Sequence, residues 1–163
     1  MIEPISGSHF FDPNITNQNL QNGVNQILQQ FSQLKPAIDN LQKQMEEVLP
    51  RLQGLIESKK QLQPEINVLA NASQEIKLDM EGLQKVMDNA NISIHELQKN
   101  FRESFSHLQN MQRTCNTIEH TIANINPQLP EPMEGLNAIT STLNSIKPQM
   151  EQLVQTVQNF NSL

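Results

Sequence analysis

Apolar residues recur along this chain at alternating steps of four and three, from Leu20 to Phe160, and the phase never changes. With Val24 set at heptad position a, the best-formed stretches of the stripe are Leu20, Val24, Ile27, Phe31, Leu34, Ile38 and Leu41, then Leu83, Ile94, Leu97, Phe101, Leu108, Ile118 and Ile122. Only Lys59, Ser73, Ser104 and Pro132 interrupt the a and d series with residues that are not apolar. A period of 3.5 residues makes a helix bury one narrow stripe, and sustained over about twenty heptads it calls for a left-handed supercoil. The pattern predicts an all-α protein of long heptad-repeat helices, forming a coiled coil or an elongated helical bundle. The fourteen residues named are the expected oligomer seam, filled by further copies of the chain.

The prolines divide the stripe. Pro36, Pro50, Pro64, Pro127 and Pro148 all fall at position f, which faces away from the seam. A proline inside a helix removes one hydrogen bond and crowds the carbonyl four residues back, at about 3 kcal/mol. Two readings follow: bends toward the seam in a continuous helix, or helix starts separated by tight breaks. Because a turn would normally shift the phase, the continuous helix is the expectation, kinked near 36, 50 and 64. The organisation so predicted is a flexible arm over 1–13, a main helical region over 14–126, a hinge over 127–132 and a final helix over 133–163. Pro127, Pro130 and Pro132 make that hinge, since three prolines in six residues favour extended backbone. The last helix then either continues the rod or folds back. In the arm, Phe10 and Phe11 either cover the end of their own helix or plug a groove on a partner, and Asp12 before Pro13 fits a helix cap.

Composition narrows the class. The 163 residues hold no Trp, no Tyr and only five Gly, against the aromatic runs and glycine-rich turns of a β or α/β domain. Gln (21) and Asn (19) together outnumber the 28 charged residues, so the e and g positions carry amides, Thr and Ala, and partner choice by charge is weak. The net charge of −6 is spread evenly, with no basic stripe to meet phosphates or an anionic membrane surface, which argues against nucleic acid and gives a membrane partner little support. Met1 to Pro13 does not read as a secretory signal, and no apolar run approaches the roughly 20 residues of a membrane span. The expected setting is intracellular, cytoplasmic or virion-associated. The sequons at Asn14, Asn71 and Asn91 read as accidents of an Asn-rich chain.

Candidate chemistry is sparse. The glycines are isolated, and His9, His95, His107 and His120 lie without a metal ligand at helical spacing, so they read as surface histidines. Cys115, the only cysteine, sits at an a position, as a buried small hydrophobe or as half of an interchain disulfide in a parallel dimer. Apolar e residues (Leu28, Leu49, Ile56, Phe105, Met133, Val154) widen the stripe enough for three or more helices. No catalytic, cofactor or metal residues and no small-molecule substrate are expected. The function expected is that of a non-catalytic scaffold, a self-associating coiled coil that spaces partners. The alternatives are a monomeric three-segment bundle that binds lipid or enters membranes, and a subunit of a heteromeric helical complex.

Overall fold

A computed structural model describes residues 17–52, 54–89 and 93–161. The expected arm at 1–13, with Phe10, Phe11 and Asp12, lies outside them, as does Ala90, a d position of the stripe. Four long helices form: α1 (Asn17–Val48), α2 (Ile56–Asp88), α3 (Ile94–Ile125) and α4 (Glu134–Asn161). At 1.5 Å per residue, α1 and α3, each of 32 residues, are about 48 Å long.

The helices run alternately up and down. Gly23 near the start of α1 meets Phe160 at the end of α4, and Gly135 at the start of α4 meets Val48 at the end of α1. Phe160 also lies against Phe101 near the start of α3, with ring centroids 4.9 Å apart. Each helix therefore touches the next and the first touches the last, in the order α1, α2, α3, α4 around a ring. This is an antiparallel four-helix bundle of up-down-up-down order.

The stripe becomes the interior. Of the fourteen expected seam residues, thirteen are buried within this one chain, and Ile94 alone is left 36% exposed. The seam expected to join separate copies is thus occupied by the chain's own helices. The e residues Leu28, Leu49, Phe105, Met133 and Val154 pack on its margin, whereas Ile56 stands 67% exposed.

The continuous region over 14–126 is broken twice, and this corrects the expectation. The first break follows Val48, where Pro50 opens a 3-10 turn over Leu49–Arg51 and Gly54, at φ 89°, takes the left-handed backbone that reverses the chain. The second lies between Asp88 and Ile94, where the Ser93 hydroxyl accepts from the Glu96 N–H at 3.3 Å and caps α3. At the expected hinge, Pro127 opens a second 3-10 turn (Asn126–Gln128), and α4 folds back instead of extending a rod. Pro36, Pro64 and Pro148 stay inside their helices, exposed to water on the outer face, where the hydrogen bond each removes can be replaced by solvent.

The two halves repeat each other. α1 and α3 end 77 positions apart, at 48 and 125. The two 3-10 turns, starting at 49 and 126, keep that offset, and so do Pro50 with Pro127 and Leu52 with Leu129. The offset is eleven heptads. The bundle is one helical hairpin (α1, α2) packed on a second of the same design (α3, α4).

Candidate functional site

Two kinds of face hold the bundle together, and the residues at g and e decide which is which. Between hairpins, α2 meets α3 along their g positions. Ser58 reaches Gln128 at 3.5 Å, the Thr121 hydroxyl donates to Glu65 at 2.5 Å, and Asp79 lies 2.5 Å from the His107 ring. Seven residues up one helix are matched by seven down the other, which sets the buried pair Ala72 and Thr114 opposite each other.

α1 meets α4 by the same rule. The Thr142 hydroxyl donates to Gln44 at 2.7 Å. Adding 77 to 44 gives 121, and subtracting 77 from 142 gives 65, so this contact is the counterpart of the one between Thr121 and Glu65 in the other half. In each a threonine hydroxyl is held by the side-chain oxygen of a Glu or Gln. Small g residues let these helices approach closely: a methyl group at Gly135 would stand 2.5 Å from Val48 Cγ2, and one at Gly23 would strike the Phe160 ring. The two between-hairpin faces are the most extensively packed of the four.

Within hairpins the e positions meet and carry longer side chains. Between α3 and α4 they include Phe105, Val154 and the ion pair of Lys147 with Glu119, both partners more than 40% exposed. Between α1 and α2 they include Leu28 and Leu49, and this face is the least packed.

The charged centre of the between-hairpin faces is Asp79. It is 7% exposed, bonded to His107 Nδ1, while His107 Nε2 stands 3.6 Å from Glu75. Burial raises the Asp79 carboxyl above its ordinary range, partly offset by His107, and the Glu75 and Glu103 charges add to the rise. Glu65 is raised by burial as well, against the pull of its bond from Thr121. His107 was expected as a surface histidine with no Cys or paired carboxylate at metal-ligand spacing. The carboxylates it meets, Asp79 and Glu75, come from the neighbouring helix, 28 and 32 residues away, which helical spacing cannot show. His95 and His120 are exposed as expected.

Cys115 is buried and free, and burial pushes its thiol up to about 11, with Lys147 opposing, so it is a poor nucleophile. It lies at the floor of an open groove of about 510 Å³ between α3 and α4, lined also by Gln109, Arg113, Lys147 and Met150. A second groove of about 540 Å³ lies at the turn end, among Gly54, Leu55, Leu129, Pro130, Pro132 and Met133, so two of the three hinge prolines line it. Ser104, a polar seam position, is fully buried and its hydroxyl finds no partner among the described residues. Among those residues no three His, Cys, Asp or Glu side chains come together as a metal site, and no helix is long and apolar enough to cross a membrane. Comparisons with protein-family models, with curated proteins and with solved structures return no match.

Proposed function

We propose that the chain is a non-catalytic assembly protein, a helical module that self-associates and holds or spaces other helical components. The observation that carries this reading is where the buried polar groups lie. Five of the six buried polar residues described, Ser58, Asp79, Thr114, Thr121 and Thr142, sit on the faces between hairpins, the sixth being Ser104 in the a/d stripe, and four of the five bond to a side chain across that face. Polar chemistry in the interior serves helix pairing, as buried polar groups do when they fix register and partner. In this reading the four helices supercoil as coiled coils, with Pro36, Pro64 and Pro148 bending their outer faces inward. The partners are a second copy or other helices, with no nucleic acid and no small-molecule substrate, and the setting is intracellular or virion-associated. Light scattering coupled to size exclusion tests it: a mass that rises above 18.5 kDa with concentration supports it, and a monomer up to several hundred micromolar contradicts it.

A second reading is favoured by the sparsely packed face between α1 and α2. A bundle that opened there would turn its continuous apolar interior toward lipid. Flotation with phosphatidylcholine vesicles separates the two, since an assembly module ignores them and an opening bundle does not.

A further inference from the structure

We infer that two copies of this chain exchange hairpins, α1 and α2 of one packing on α3 and α4 of the other, with α2 and α3 joined into one unbroken helix. The inference rests on the self-association proposed above and names its geometry.

Three observations carry it. First, the three connections differ in kind. Those inside the hairpins hold Pro50 with the left-handed Gly54, or three prolines in six residues (Pro127, Pro130 and Pro132), combinations that disfavour a straight helix more than the single prolines inside α1, α2 and α4. The one between hairpins reads Asn89, Ala90, Asn91, Ile92, Ser93, with neither Pro nor Gly. Second, the stripe crosses that connection in phase: Leu83 and Leu97 are two heptads apart, with Ala90 midway at d and Met87 and Ile94 at a. In the single chain Met87 is half-buried and Ile94 is 36% exposed, the only one of the expected seam residues left open. A continuous helix places both in a continuous seam. Third, both between-hairpin faces, with every polar pair described above, are retained when the partner hairpin comes from another copy, which is the condition for exchange at low cost.

The joined helix runs from Ile56 to Ile125, 70 residues or about 105 Å. Two such helices lie antiparallel in the register already seen. Since 58 faces 128 and 79 faces 107, position 93 of one copy faces position 93 of the other. Ser93 is itself a g position, so the symmetry axis falls on the ladder without a slip. The cap that Ser93 gives α3 is the local feature that favours the turn over the straight helix.

The test uses cysteine pairs across the α2/α3 face in a Cys115→Ser background: Ala72→Cys with Thr114→Cys, and separately Glu65→Cys with Thr121→Cys, so that one poorly folding variant leaves the other. Each full-length chain is refolded at several hundred micromolar, oxidised, and read for mass in solution and for linkage on non-reducing gels. The expected result is a species of twice 18.5 kDa with the disulfide between chains. Ser93→Ala, which removes the α3 cap from each of the two single chains that combine, is expected to raise the dimer association constant by about tenfold or more. A dimer whose disulfide stays within each chain overturns the exchange and leaves self-association standing. A monomer at every concentration, with Ser93→Ala included, overturns both.

Discussion

The faces between hairpins and the faces within them are built from one apolar stripe, yet they do different work. The between-hairpin faces carry small and hydrogen-bonding g residues, Gly23, Ala72, Thr114, Thr121 and Thr142, and pack closely. The within-hairpin faces carry long e residues, Leu28, Phe105, Val154 and Lys147, whose ion pair with Glu119 is half-exposed. The difference teaches that the a and d positions supply burial, while the size and polarity of the flanking position decide which helix lies next to which.

The largest contrast is in bulk. Ala72→Leu adds three carbons to a 1% exposed site on the between-hairpin face and is expected to cost about 2 to 3 kcal/mol. Ala70→Leu, two residues away at a half-buried e position, is expected to change stability by less than about 0.5 kcal/mol. Urea unfolding of the two variants checks this, and equal losses would remove the distinction between the faces.

Next comes charge. His107→Ala leaves the buried Asp79 carboxylate without its partner and is expected to cost about 1 to 3 kcal/mol at neutral pH. Lys147→Ala breaks the half-exposed pair with Glu119 on the within-hairpin face and is expected to cost no more than about 1 kcal/mol. Thermal unfolding at matched salt compares them.

Glu65→Gln is the smallest and sharpest test, because it gives α2/α3 the amide that α1/α4 already uses at Gln44. Burial raises the Glu65 carboxyl in the folded chain, so the folded state binds its proton more tightly than the unfolded one. That contribution is fully present below the unfolded value, near 4.5, and is lost as pH rises through the raised folded value. The variant is therefore expected to be slightly more stable than the parent at pH 7, by less than about 1 kcal/mol, with the gain vanishing toward pH 4. Denaturation midpoints across that range measure it.

Much of this fold was legible as a stripe and little of it as a path. The last buried d residue before each connection and the first after it, Val48 and Leu62, Leu83 and Leu97, Ile125 and Ile139, are each two heptads apart. A straight helix has the same spacing, so phase alone could not reveal the turns. The local chemistry could: Pro50 followed by Gly54, and Ser93 followed three residues later by Glu96, mark a stop and a start. The pairing residues were hidden for another reason. Thr121, Thr142 and His107 look like a solvated face until the facing helix is known, and which helix faces them is a property of the whole bundle.

The central claim is that α1 and α4 lie side by side in a single chain, and a distance between them tests it directly. Spin labels at Asn40→Cys and Ser141→Cys, in a Cys115→Ser background, would flank one groove on the α1/α4 face. In the 18.5 kDa fraction the account predicts a narrow distribution at about 20 Å, as expected for labels on adjacent helices 8 to 10 Å apart at their axes. Separations beyond about 60 Å, as in a chain whose first helix runs straight on through 126, would contradict it.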